Sequence, residues 1–137
     1  MSAIISADGT YRYSLTRKVN HYGEGTCCFI MLNPSTADAE QNDPTIRRCI
    51  NFAGGMGYED LSVVNLFAYR ATDPKCLNEM SYERAVGPEN MQHIAQACHA
   101  AKIIICAWGN DGTLYSQGEK VLSWLRTHWK PRALKLN

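Results

Sequence analysis

The sequence carries almost no net charge: 14 Lys and Arg stand against 13 Asp and Glu, a formal +1. A near-neutral chain has no global field to recruit nucleic acid or an anionic membrane, so polymer contact would need a local basic face. No C-x-x-C pair occurs, and Cys27, Cys28, Cys49, Cys76, Cys98 and Cys106 form no Cys/His cluster with zinc-finger spacing. No metal is expected. Neither a Walker P-loop nor G-x-G-x-x-G is present, which argues against ATP and NAD, and no cofactor is expected. The four histidines (His21, His93, His99, His128) are scattered, which disfavours a histidine-based triad. The N-terminus shows no basic-then-apolar leader, and no apolar run approaches bilayer length. These absences predict a soluble cytoplasmic protein without a membrane partner, its thiols reduced and mostly packed as small hydrophobes. Nothing in the sequence fixes an oligomeric state.

What is present reads as one globular domain over residues 1–137, with ordinary apolar (45%) and charged (20%) fractions. Three short apolar runs stand out: Cys27 to Leu32, Leu61 to Phe67 and Lys102 to Ala107. They are continuous rather than alternating, the pattern of strands buried on both faces of a parallel sheet. A helical period follows the first, with Ile46, Cys49, Ile50 and Ala53 on one stripe. Asp43-Pro44 supplies its cap and first position, and Gly57 its stop. Further helices are expected from about Pro88 to Ala100, with Met91, Ile94, Ala95 and Cys98 inward, and from about Tyr115 to Trp129, ended by Pro131. Ala133 to Leu136 is a candidate fourth strand, and residues 71–87 read as a long loop with a turn of helix. The alternating Tyr11 to Arg17 segment is a candidate antiparallel edge strand. Strand and helix alternation implies a three-layer α/β/α sandwich around a mostly parallel sheet of about four strands.

In open α/β sheets, ligands bind outside the carboxyl ends of the strands. Three polar clusters follow the three runs: Asn33-Pro34-Ser35-Thr36-Ala37-Asp38, Asn65 to Asp73, and Trp108-Gly109-Asn110-Asp111-Gly112. One site is expected to gather them, with Asn33, Asp38, Asn65 and Trp108 lining a single concavity. Asn-Pro-Ser-Thr also suits a plain turn, but loops of this length in a compact domain tend to carry function. Asp43 reads first as a helix N-cap and second as an assisting acid, whereas Asp38 shows no structural duty and is the better carboxylate. Arg47 and Arg48 are solvated by default, with bidentate capture of a phosphate or carboxylate by one of them as the alternative. Arg70 leads from a buried strand into the expected site, and Trp108 is either core or a stacking platform.

The same residues carry a family resemblance. Ile30-Met31-Leu32-Asn33-Pro34-Ser35-Thr36-Ala37-Asp38 resembles the signature of the domain of unknown function 1643 family, a family without an established activity. So do Asp43-Pro44-Thr45-Ile46-Arg47-Arg48-Cys49, Val64-Asn65-Leu66-Phe67-Ala68, Gly87-Pro88-Glu89-Asn90 and Ala107-Trp108-Gly109. More distantly, a strand running into Asn33-Pro34-Ser35 is similar to the first motif of the uracil-DNA glycosylase superfamily. That similarity implies a glycosylase-like fold, with Asn33 orienting the attacking water on an N-glycosidic bond and Asp38 or Asp43 assisting. Pro34, Ser35, Thr36, Arg47, Asn65, Arg70, Trp108 and Asn110 would then position a nucleobase, nucleotide or nucleic acid. Ser35 departs from that superfamily's glycine, and the Gly-x-Pro-x-His-Pro-Leu-Tyr stretch of the family's C-terminal region is not found. The resemblance thus leaves two readings open: a glycosylase-like hydrolase, or a non-catalytic nucleotide or nucleic-acid binding module.

Overall fold

A computed structural model describes residues 2–128 and the backbone of residues 133–135. It is mixed α/β. Six strands form one sheet in the order β1-β2-β4-β3-β5-β6: β1 Ser2–Ile5, β2 Arg12–Lys18, β3 Thr26–Met31, β4 Asp60–Asn65, β5 Ile103–Cys106 and β6 Ala133–Lys135. β4, β3, β5 and β6 are mutually parallel, while β1 and β2 are antiparallel additions beside β4. β3, β4 and β5 are therefore the parallel strands that their continuous apolar runs predict, and Ala133–Lys135 adds the fourth strand expected there. The edge assignment for residues 11–17 is corrected: β2 lies between β1 and β4, and β1 holds the edge. Leu136, Trp129 and Pro131 fall outside the described residues.

α1 (Pro44–Gly55) covers one face of the sheet, burying Ile46, Cys49 and Ala53 against Leu15, Cys27, Phe29, Leu61, Val63 and Ile105. α3 (Asn90–Ala100) and α4 (Gln117–His128) cover the other, packing Ile94, Cys98, Val121 and Leu125 against Cys28, Ile30, Val64 and Ile104. Successive residues of β3, β4 and β5 thus feed two opposed cores, which explains why the runs show no alternation. Met91 is a correction: it is exposed, and Asn90 takes the buried place at the head of α3. Residues 71–87 are also more ordered than a loop. They hold a 3₁₀ helix, Pro74–Glu79, and α2, Tyr82–Val86, capped by Asp73 and Ser81. A second 3₁₀ segment, Asn110–Ser116, precedes α4.

β2 carries a bulge that matters for the site. Ile4 pairs with Ser14 but Ile5 with Arg12, so Tyr13 is the extra residue. A bulge reverses the side to which the residues beyond it point. Tyr13 stacks on His93 of α3 at 4.9 Å between ring centres, and Arg12 is turned onto the α1 face.

Candidate functional site

The carboxyl end of the sheet is roofed by three segments, and the first two are laced together. Asn33 Nδ2 donates to Ala71 O at 2.9 Å and to Pro34 O at 3.2 Å; Ala71 N returns a bond to Pro34 O at 2.9 Å. Arg70 Nε donates to Ser35 O at 3.4 Å, and the Ser35 and Thr72 hydroxyls lie 3.5 Å apart. The amide of Asn33 is therefore a brace that fixes the 33–36 turn to the segment after β4. Its Oδ1 accepts no hydrogen bond among the described residues.

The two candidate carboxylates both carry structural duties. Asp43 Oδ1 accepts from Ile46 N at 2.9 Å as the α1 N-cap, and Oδ2 accepts from Ala37 N at 3.2 Å. Asp38 Oδ1 accepts from Glu40 N and Gln41 N at 2.9 and 2.8 Å, and these amides hold its carboxyl below the usual range. The expectation that Asp38 lacks a structural role is corrected: it closes an Asx-type turn, which a single sequence cannot distinguish from a free carboxylate.

Two residues that sequence reasoning passed over organise this loop. Arg17 donates from Nε to Asn42 Oδ1 at 2.8 Å and from Nη2 to the carbonyls of Asp38 and Gln41. Arg12, only 2% exposed, donates from Nη1 to Ala37 O at 3.1 Å. Burial pushes its guanidinium down to about 10, opposed by Asp43 and reinforced by Arg70 and Arg17, so it stays cationic at neutral pH. The readable signal was Arg17 on the same phase as Leu15, the apolar phase of an alternating strand.

The third cluster joins the others only in part. Trp108 is 6% exposed and packs in the α3/α4 core. A Cβ on Gly112 would lie 2.2 Å from its Cδ1, and one on Gly118 2.9 Å from its Nε1. Trp108 is thus a core residue seated on two glycines, and it does not face Asn65, which the alternation of β4 turns toward α1. The expected single concavity of Asn33, Asp38, Asn65 and Trp108 is not formed for that reason. Arg47, Thr36 and Asn110 are exposed, and Pro34 is buried.

A cleft of about 410 Å³ does open at the carboxyl end, lined by Leu32, Lys75, Leu77, Asn78, Asp111 and Thr113. Its walls follow β3, β4 and β5 in turn. The chain leaves β3 for α1 on one face but leaves β4 and β5 for α3 and α4 on the other, so the cleft occupies the topological switch point. Two other hollows lie elsewhere, one of about 400 Å³ between β2 and α3 and one of about 230 Å³ beside Phe29 and Phe52.

The model of a family described as protein of unknown function (DUF1643) matches residues 12–137. The chain belongs to this family. No curated protein and no solved structure matches it. Several motifs quoted above for the DUF1643 resemblance now have physical roles. Asn90 of Gly87-Pro88-Glu89-Asn90 donates to the Asn65 and Leu66 carbonyls at 2.8 and 3.1 Å, tying α3 to the end of β4. Gly87, at φ +93°, lets the chain turn against Tyr11, 3.0 Å from where a Cβ would sit. Among the described residues no group of three or more metal-ligating side chains gathers, and no helix is long and apolar enough to cross a membrane.

Proposed function

We propose that this DUF1643 domain binds a nucleobase-containing small molecule, a nucleotide in the first instance, in the switch-point cleft. The observation that carries the reading is the cleft's position and lining together. Its volume falls in the range of small-molecule sites, and it stands where doubly wound sheets receive ligands. Lys75 supplies a point cation for a phosphate, the Asn78 amide can both donate to and accept from a base edge, and Asp111 is an acceptor for a sugar hydroxyl or exocyclic amine. The near-neutral charge supports a free nucleotide over a polymer. Five of the six free cysteines are buried, which supports a reducing, cytoplasmic setting.

The test is a thermal-shift and calorimetric panel of nucleosides and nucleoside monophosphates. A ligand at a hundred times its Kd adds about 2.7 kcal/mol of stability. Binding by the parent and its loss in Lys75→Ala with Asp111→Ala is the expected outcome; a flat panel overturns the proposal.

A second reading, hydrolysis of an N-glycosidic bond on a glycosylase-like fold, draws support from Asn33. With its Nδ2 spent on backbone carbonyls, its Oδ1 is fixed in orientation and available to accept from a water. Release of free base from nucleosides or from uracil-containing DNA, lowered about 10²- to 10⁴-fold in Asn33→Ala, is what this reading requires. No base release from either substrate class would remove it.

A further inference from the structure

The hollow of about 400 Å³ between β2 and α3 takes no part in the proposed function. Thr26 and Asp60, the first residues of β3 and β4, line it, so it opens at the amino ends of the parallel strands, away from the cleft. Its existence follows from side-chain size. Leu15 and Val63 turn to the α1-side core, which leaves their neighbours Ser14, Thr16 and Ser62 as its floor on the α3 side. Above them α3 presents His93, Gln96, Ala97 and Ala100, one stripe at i, i+3, i+4 and i+7 beside the core stripe of Ile94 and Cys98. Small hydroxyl residues thus face two alanines. A packed interior fills such a space with larger apolar side chains at close to crystal density. Here it stays open, and Ile4, 47% exposed, borders it with apolar surface.

The ligand that suits this hollow follows from what its polar groups already do. Its charges are committed. Lys18 Nζ pairs with Glu59 and Asp60 at 2.9 and 3.3 Å, and Arg17 sends its guanidinium to Asn42 and the Asp38 and Gln41 carbonyls. The Thr16 and Ser2 hydroxyls are bonded to each other at 2.6 Å. The side chains of Ser14, His93 and Gln96 make no hydrogen bond among the described residues. Stacking on Tyr13, with 17° between the ring planes, fixes the His93 imidazole in place. A hydroxyl, a neutral imidazole and an amide each offer both a donor and an acceptor.

We propose that this hollow is a second binding site, for a neutral ring-sized organic molecule with one hydrogen-bonding edge, of the aromatic amide or lactam class. Its ring rests against Ala97, Ala100 and Ile4, and its amide edge meets Ser14 and Gln96. The volume is that of a small-molecule site. A charged ligand is disfavoured, because it loses water without gaining a free counter-charge unless it breaks the Lys18 pairs. The site is independent of the cleft and stands whether or not a nucleotide binds there.

The test follows backbone amide shifts by NMR as benzamide is added, up to about 10 mM for so small a ligand, with benzoate and benzylamine as charged references of similar size. The expected result is saturable shifts at Ser14, His93, Gln96 and Ala97, and binding of both charged references weaker by about tenfold or more. Ala97→Leu fills the hollow. Leucine is a good helix former and buries new apolar surface there, so the melting temperature should equal or exceed the parent's while the benzamide shifts vanish. Gln96→Ala, at an exposed position, keeps the fold in any case and should weaken benzamide by about three- to tenfold. The proposal is overturned by the absence of saturable shifts, by undiminished binding in either variant, or by benzoate binding as tightly as benzamide. Shifts confined to Lys75, Asn78 and Thr113 overturn it too, because they place the molecule in the cleft.

Discussion

Replacing Asp43 by alanine separates a carboxylate that builds the fold from one that acts on a substrate. Its Oδ1 bond to Ile46 N is an N-cap, and losing a cap of this kind costs about 1 kcal/mol, within a range of about 0.5–2. Its Oδ2 bond to Ala37 N is buried, and an N–H left unpaired there costs about 1–3 kcal/mol. The two losses fall on different donors, so Asp43→Ala should destabilise by about 2–4 kcal/mol. At about 4 °C per kcal/mol for a domain of this size, that is a fall in Tm of about 8–16 °C. Asp43→Asn keeps one acceptor oxygen and turns an amino group on the other donor, so about half the loss should remain. Urea unfolding with an unchanged m-value, read beside Tm, is the assay. If Asp43→Ala stays within about 0.5 kcal/mol of the parent, the structural reasoning fails; a selective loss of turnover at unchanged Tm would return Asp43 to the chemistry.

The remaining predictions concern the other supports of the same end of the sheet. Gly112→Ala should destabilise by about 1–3 kcal/mol through overpacking against Trp108, with a blue- or red-shifted tryptophan emission; a neutral result would mean that the indole has room. Arg17→Met should speed amide exchange across residues 38–42 while leaving that of α3 unchanged, because its donors hold the Asp38 and Gln41 carbonyls. Uniform exchange in parent and variant would contradict this role. Asp38 titrates below the usual 3.8 in the folded chain, so its contribution is fully present above the unfolded value and fades as pH falls through the lower folded one. An NMR titration of its carboxyl carbon with a midpoint at or above 3.8 would refute it.

The parallel core and α1 were legible because each rests on a physical signal confined to a few residues. Burial on both faces gives β3, β4 and β5 their unbroken apolar runs, and Asp43-Pro44 with Gly57 brackets α1. The antiparallel pair was only half legible. The alternation of Tyr11 to Arg17 announces a strand, but Ser2-Ala3-Ile4-Ile5 is too short to announce its outer neighbour, so β2 reads as an edge. The 3₁₀ helix at Pro74–Glu79 buries Leu77 alone, which leaves no period to find, and with it went the cleft residues Lys75 and Asn78. Trp108 illustrates the other limit. After a strand end, a tryptophan that stacks on ligand and one that packs on glycine look alike, and only the spacing to Gly112 and Gly118 hinted at the second.

The length of the 33–43 loop has a structural cause. The α1 face carries one helix over six strands, and the loop fills the place beside it, with Ala37 buried in the same cluster as Leu15. A loop that serves as a layer has to be fastened like one, and this one is fastened at every stage. Asn33 braces its start, Arg12 and Arg17 hold its middle carbonyls, and Asp43 joins Ala37 to the first turn of α1. Long loops over a sheet's carboxyl end often act as lids, whose closing costs ordering entropy at each binding event. Here that ordering is already complete in the folded chain, so the loop serves as part of the α1-side layer rather than as a lid. The antiparallel strand β2 supplies two of these fastenings, Arg12 and Arg17. Because it runs against β4, its first residue, Arg12, stands at the carboxyl end of the parallel strands, where a parallel strand would have placed its last.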